Sequence, residues 1–536
     1  MSTVERSQPG TTRHAPRPVA WRYGDAMLER LAALAVRAEG PREAIAVSIP
    51  FTDEVLGGVP RGTEADVALA VRRARAAQPA WAALPVRERE RIVLRFHDLV
   101  LANREVLLDL IQLESGKARR DAFEEVLDVA NVARYYGVRA RRLLRPERRK
   151  GAIPLLTRTT IFRAPVGVVG CISPWNYPLN LPVGDLVPAL LAGNTALLKP
   201  DHQTSFTALY AVDLLYRAGL PRDVLVVVTG EGPELGAPII DRVDYLMFTG
   251  STRTGRLVAT QAAERLIGCS LELGGKNPLL VLADADLDRA VEGAVRGCFV
   301  GAGQVCVSTE RIYVDQRIHE HFIERFVART RRLRLGAALD YSAEMGSLTS
   351  AKQLTTVESH VQDAVAKGAH ALTGGRARPD LGPLFYEPTV LVGVRPGMLA
   401  YADETFGPVV AIYPFSSEDE AVEHANDTRF GLSASIWTRD TERGERLARR
   451  IRAGMVNINE AYSAAWGSVA SPIGGMKESG LDRRHGAEGL LKYTEAQTVA
   501  VQRLLPIGPP PGVSAAAWAG AMRRLLGVMR HLPGVR

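Results

Sequence analysis

The chain has 536 residues, 46% of them hydrophobic and 24% charged, and a formal net charge of +8; this is the composition of a folded protein long enough for more than one core. No stretch approaches the roughly 20 apolar residues of a membrane span. Four cysteines without CxxC spacing, Cys171, Cys269, Cys298 and Cys306, argue against a zinc site or a disulfide scaffold and suit a reducing cytoplasm.

The first 24 residues read as a flexible tail: Arg6, Arg13, Arg17 and Arg22 are followed by no apolar run, so no secretory signal is expected. Helical periodicity marks 64–78 and 86–113, and the Arg-rich stretch around Pro146 interrupts it. Segments 1–22, 139–150 and 513–536 carry +3, +6 and +4, so the positive excess belongs to tails and one helix end, and a nucleic-acid surface is not expected. Residues 155–164 alternate as a strand or hairpin. From 166 onward, short apolar runs at 166–172, 195–198, 224–228 and 245–248 alternate with helical patterns at 182–192, 203–218 and 254–267. That order predicts a parallel sheet wound in βαβ units, which binds cofactors at the carboxyl ends of its strands. After Glu272 the alternation restarts, with strands at 277–282, 311–314, 408–414, 432–438 and 454–459 and helices at 286–299 and 318–333. Residues 492–503 read as one more strand and 506–512 as a linker. Trp518, Met522, Leu525, Leu526 and Met529 would form an amphipathic helix in a basic tail, solvated in the first reading and touching anionic membrane in the alternative.

Several short strings carry chemistry. In Gly301-Ala302-Gly303-Gln304-Val305-Cys306 two glycines permit a tight turn that leaves a thiol accessible as a nucleophile; a core thiol is the competing account. Glu272-Leu273-Gly274-Gly275-Lys276 places a carboxylate at a strand end with room beside it for a general base, or for a surface turn with a Glu272–Lys276 salt bridge. Asn176, rigid between Pro174 and Pro178, is a candidate oxyanion donor or a plain turn residue. Lys199-Pro200 and Thr249-Gly250-Ser251 end two further strands and suit ribose and pyrophosphate. Gly230, Gly232 and Gly236 are only a near miss to a phosphate loop.

Taken in order, PWNYP, GNTALLKP, FTGSTRTG, ELGGK, GQVC, ETFGPVV and PIGGMKESG resemble the aldehyde dehydrogenase superfamily over roughly residues 25–503. The wording is most similar to the actinobacterial NADP-dependent succinate-semialdehyde dehydrogenase branch. The resemblance implies two doubly wound α/β domains plus a small β flap for oligomerisation: 25–146 and 166–274 for the cofactor, 275–489 for catalysis, 147–165 and 490–504 for the flap, and 505–536 as a basic tail. It implies Cys306 as nucleophile, Glu272 as the base that activates water, and Asn176 with the Cys306 N–H as the oxyanion hole. Lys199 and Glu404 would hold ribose hydroxyls, with Trp175, Asn176, Gly250, Ser251, Leu273 and Phe406 along the cofactor path. His202 stands where NAD-preferring relatives often carry Glu, which shifts the expectation to NADP, with NAD usable. Val300 stands where some succinate-semialdehyde dehydrogenases carry Arg. Tyr177, Tyr462 and Trp466 would then line an aldehyde tunnel, with Ser463 and Ser468 as carboxylate partners. No metal is implied. A homodimer or homotetramer is expected, closed over the strand at 492–503. The alternatives are a general medium-chain or aromatic aldehyde dehydrogenase, an acylating enzyme using coenzyme A, which Glu272 disfavours, and a non-catalytic family member with a binding role.

Overall fold

The structure is a computed structural model that describes residues 23–40, 42–151, 157–503 and 508–531. Most of the expected N-terminal tail, and the start of the strand expected at 155–164, lie outside the described residues. Two parallel sheets organise the chain. The first has the order Leu225–Val227, Thr195–Lys199, Val168–Ile172, Tyr245–Thr249, Gly268–Glu272 and Gly480–Leu481, and only the last strand runs antiparallel. Its central strands are buried on both faces, which is why they read as unbroken apolar runs rather than alternations. Helices Asn180–Leu191, Ser205–Arg217 and Thr252–Glu264 connect or follow these strands, the first buried throughout.

The second sheet has the order His370–Thr373, Thr389–Val392, Val409–Phe415, Thr309–Asp315, Asn277–Val281, Ser433–Trp437 and Met455–Ile458, antiparallel only at the His370–Thr373 edge. The chain passes from Glu272, the last residue of a first-sheet strand, to Asn277, the first residue of a second-sheet strand, through Leu273-Gly274-Gly275-Lys276. Carboxyl ends of one sheet therefore face amino ends of the other across this crossover. Segment 275–489, expected to serve catalysis, sends Gly480–Leu481 back to pair with Glu272 and Leu271 of the first sheet.

A three-stranded antiparallel sheet joins Glu147–Lys150, Thr157–Pro165 and Thr494–Gln502, the last two paired over nine residues. The periodic stretch expected at 86–113 is two helices, Val86–Ala102 and Arg104–Ser115. Asn103 breaks it: its Nδ2 donates to the Leu99 carbonyl at 2.7 Å and its Oδ1 accepts from Tyr210 Oη at 2.9 Å, a side-chain competition with helical hydrogen bonding. A single long helix, Arg119–Leu143, follows. Ala515–Met529 forms the expected terminal helix and buries none of its residues. Among the described residues no helix is long and apolar enough to cross a membrane.

Candidate active site

Cys306 lies just before strand Thr309–Asp315, at the amino edge of the second sheet. The turn leading to it is left-handed at three consecutive residues, Gly301 (φ 55°), Ala302 (φ 55°) and Gly303 (φ 73°). At Gly303 no side chain fits, because a Cβ would stand 2.0 Å from the Gly407 carbonyl oxygen. Ala302 holds a conformation that costs a non-glycine residue about 1 kcal/mol or more. Surrounding groups hold the turn: Asp121 accepts from the Gly301 N–H at 2.8 Å, Gln304 donates to the Gly301 carbonyl at 3.0 Å, and Asn277 Nδ2 donates to the carbonyls of Cys306 and Ser308, both at 2.8 Å. Gly275 admits this approach, since a Cβ there would meet the Cys306 carbonyl at 2.5 Å.

Glu272 is buried, and its Oε1 has no hydrogen-bond partner. Burial pushes its carboxyl up to about 7; the nearby Arg484 guanidinium works against that rise, and Asp185 adds to it. The salt bridge to Lys276 does not form, because Lys276 turns away to Glu310 at 2.5 Å and to the Asp403 carbonyl at 2.7 Å. Burial also pushes the Cys306 thiol up to about 12, with Glu272 and Glu404 adding to the shift. At neutral pH the sulfur therefore carries its proton, and a nucleophilic role requires an acceptor for it.

Asn176 is buried; one N–H of its amide reaches the Gln304 carbonyl at 3.1 Å, which points the group at the loop carrying Cys306. The backbone carbonyl of Asn176 accepts from Lys117 Nζ at 2.7 Å. Lys117 also pairs with Glu125 at 2.7 Å and sits 3.8 Å from the Tyr177 ring centroid. Glu125 in turn accepts from the backbone N–H of Leu179 and Asn180. This buried pair clamps the Pro174–Pro178 loop, and the sequence reading missed it. Arg484, held to Asp185 at 3.0 Å with Lys492 at 3.6 Å, was missed as well.

A cavity of about 340 Å³ contains Trp175, Asn176, Gly250, Ser251, Leu273, Cys306, Glu404 and Phe406, so the structure brings together most of the residues expected around a cofactor. The Trp175 and Phe406 rings meet edge to face at 5.5 Å. Glu404 accepts from the Gly275 N–H at 2.7 Å, and burial pushes its carboxyl up to about 8. Gln353 donates to the carbonyls of Thr405 and Phe406, fixing that loop. Lys199 is buried at its strand end, outside the set that lines this cavity, and donates to the Pro200 carbonyl at 3.1 Å. His202 opens a short turn with its Nδ1 3.5 Å from Asp201, and its neighbour Gln203 faces the cavity instead. The Asp201 carboxylate is occupied by the Gln203 N–H at 3.0 Å. Gly230, Gly232 and Gly236 line neither this cavity nor the next. A dinucleotide fits the donor set. The buried Thr249 hydroxyl opens on the cavity without a partner, and Ser251 caps helix Thr252–Glu264 beside it.

A second cavity, about 620 Å³, lies beside Tyr177, Tyr462 and Trp466. These rings pack with Val300 and Cys306, and the Tyr177 and Trp466 ring centroids are 5.8 Å apart. Tyr462 Oη donates to Glu124 at 2.7 Å, and Arg296, on the same cavity wall, is held by Glu124 at 2.8 Å. Val300 is buried in the cluster behind these rings and lines neither cavity, so its position supplies no charge here. Ser463 lines the cavity. Ser468 does not: it is exposed and spends its hydroxyl on the Ala464 carbonyl at 2.7 Å. All four cysteines are free. Among the described residues no cluster of three or more His, Cys, Asp or Glu side chains could hold a metal ion.

With this geometry in place, comparison with known proteins gives the class. Residues 36–499 match the aldehyde dehydrogenase family, and the chain belongs to it. It is 52% identical over 486 residues to a Mycobacterium tuberculosis protein provisionally named succinate-semialdehyde dehydrogenase [NADP(+)] 2, covering 91% of this chain and 94% of that one. It is 36% identical to a succinate semialdehyde dehydrogenase of Acinetobacter baylyi, covering 83% of this chain and 92% of the relative. A crystal structure described as an E. coli NADP dependent enzyme superposes with a TM-score of 0.83 at 35% identity, covering 87% of this chain and 97% of that one.

Proposed function

We propose that the chain oxidises an aldehyde to a carboxylic acid with NADP+, succinate semialdehyde to succinate being the favoured conversion and NAD+ a usable alternative. The observation that carries this reading is the convergence of the Cys306 thiol, the unpartnered Glu272 carboxyl and the Asn176 amide at the crossover between the two sheets. Cys306 Sγ attacks the aldehyde carbon, and its proton passes to Glu272. Asn176, through its second amide N–H, and the Cys306 backbone N–H stabilise the oxyanion. Bound NADP+ supplies the hydride acceptor. Once Glu272 has passed that proton to solvent, it takes a proton from water, whose oxygen attacks the thioester carbon; the C–S bond breaks, the proton on Glu272 returns to the departing sulfur, and the acid leaves.

Lys199 and Glu404 are assigned to the ribose hydroxyls, and Trp175, Gly250, Ser251, Leu273 and Phe406 to the cofactor's path. His202 supports NADP+, because a Glu at that position would repel a 2′-phosphate. The exposed edge strand Thr494–Gln502 supports assembly into a dimer or tetramer, and free cysteines suit a reducing compartment such as the cytoplasm. The apolar Tyr177 and Trp466 rings on the cavity, with Val300 packed in the cluster behind them, favour, as second reading, a general medium-chain or aromatic aldehyde oxidiser. A panel of aldehydes ranked by kcat/KM decides between them. Succinate semialdehyde should lead; hexanal or benzaldehyde ahead by about tenfold, roughly 1.4 kcal/mol of discrimination, would overturn the first reading.

A further inference from the structure

Helix Arg119–Leu143 carries a stripe of acids at Asp121, Glu124, Glu125 and Asp128, spaced i, i+3, i+4 and i+7 and so on one face. Three of them have donors. Asp121 accepts from the Gly301 N–H, Glu124 from Tyr462 and Arg296, and Glu125 from Lys117 and two backbone N–H groups. Asp128 is the exception: it is 7% exposed, and although the Trp466 and Asn180 side chains approach it, neither carboxylate oxygen completes a hydrogen bond of normal geometry. Beside it, Asn180 is 1% exposed and neither polar atom of its amide is satisfied. Both residues line the 620 Å³ cavity that also holds Tyr177, Tyr462 and Trp466. A buried carboxyl and a buried carboxamide left open toward one cavity are unfavourable unless a ligand or water completes them.

We propose that the Asp128 carboxyl and the Asn180 amide form the specificity site for the distal end of the aldehyde, each donating a hydrogen bond to the substrate's carboxylate. This rests on the succinate semialdehyde reading and supplies the anchor that Val300 does not. Of the other groups that line this cavity, Arg296 is neutralised by Glu124, Arg134 is exposed and donates to Asn131 at 2.9 Å, and Ser463 carries no charge. A carboxyl group can serve a carboxylate only while it holds its proton. The groups facing Asp128 set that condition: Arg484 from the segment beyond Ile473, Glu125 on its own helix, Asn180 at the start of helix Asn180–Leu191, and Trp466 in the short helix Ser463–Gly467. Arg484 is already pinned by Asp185, and Glu125 by Lys117. Burial dominates and pushes the Asp128 carboxyl up to about 7, so the anchor is available in mildly acidic solution and is lost as pH rises.

The test uses the full-length enzyme with NADP+ and reads the ratio of kcat/KM for succinate semialdehyde to that for hexanal between pH 6 and pH 9. A ratio cancels the titration of Glu272, which both substrates share. In the wild type the ratio should fall by about tenfold or more across the range, the worth of one hydrogen bond to a charged group. In Asp128→Asn, which keeps a donor and cannot titrate, the ratio should be flat with pH. In Asp128→Leu it should be low throughout, by a similar factor. Asp128→Asn alone carries the test if the leucine variant does not fold. A wild-type preference for succinate semialdehyde with a ratio indifferent to pH and to both substitutions overturns this anchor and leaves the substrate reading standing. A wild-type preference for hexanal overturns both. A preference for a cationic aminoaldehyde would mean that Asp128 binds as an anion, and overturns the proposal.

Discussion

Glu272 and Cys306 are both pushed by burial toward their protonated forms, the carboxyl to about 7 and the thiol to about 12. A base works only when ionised, so kcat should rise with pH through about 7 as Glu272 loses its proton. Glu272→Gln should remove that limb and leave slow acylation without release, which a pH profile and a pre-steady-state burst would report; an unchanged steady-state rate contradicts the assignment. Asn176→Ala should lower kcat by about 10²–10³-fold, the usual cost of one oxyanion donor, and weaken cofactor binding far less. His202→Glu should swing the ratio of kcat/KM from NADP+ toward NAD+; a wild type that favours NAD+ removes the basis for that expectation. Glu272, Cys306 and Asn176 were legible because each sits in a short local string whose glycines and prolines announce a constrained backbone. Gln203 was not, since nothing in the sequence says that the turn at Asp201 presents residue 203, rather than 202, to the cavity.

Among the elements, helix Arg119–Leu143 and the Pro174–Pro178 loop show how much depends on pairs remote in sequence. Lys117 and Glu125 are 5% and 0% exposed and meet at 2.7 Å, and between them they hold the Asn176 carbonyl, the Tyr177 ring and two backbone N–H groups. Removing one member of such a pair strands a buried charge, so Lys117→Met should cost about 3–5 kcal/mol of stability. It should also depress kcat, because Asn176 loses the contact that aims it. Thermal unfolding followed with and without NADP+, together with kcat, checks both effects; a Tm and a kcat equal to wild type would show that the clamp is idle. Helical and strand periodicity located most of this framework, including the restart of the βαβ pattern after Glu272. Periodicity could not show that Asn103 divides the 86–113 stretch, since that depends on Tyr210 reaching its side chain from another helix. The acid stripe on Arg119–Leu143 was written in the sequence as plainly as any motif. Only the fold tells which acid is left without a completed hydrogen bond.

Across the whole molecule, the crossover at Glu272–Asn277 places the carboxyl end of one parallel sheet against the amino end of the other, and Cys306 stands at that junction. Strand Thr494–Gln502 leaves Val499 and Val501 40% and 37% exposed on an open edge, a surface that a second copy would cover. Light scattering at micromolar concentration should therefore report a dimer or tetramer, and a charge introduced by Val499→Lys should weaken it; a stable wild-type monomer contradicts this. The order of elements was readable because parallel strands buried on both faces leave unmistakable apolar runs. The approach of Asp128, Asn180 and Trp466 was not readable, because residues 338 positions apart come together only when both sheets are assembled. The central claim is that the reaction passes through a thioester on Cys306, released by Glu272. The most direct measurement is peptide mapping by mass spectrometry of the Glu272→Gln protein, quenched after mixing with succinate semialdehyde and NADP+. The account predicts one succinyl group per chain, on Cys306, with no such adduct accumulating in the wild type; an adduct on Cys171, Cys269 or Cys298 instead, or none at all alongside continued turnover, would contradict it.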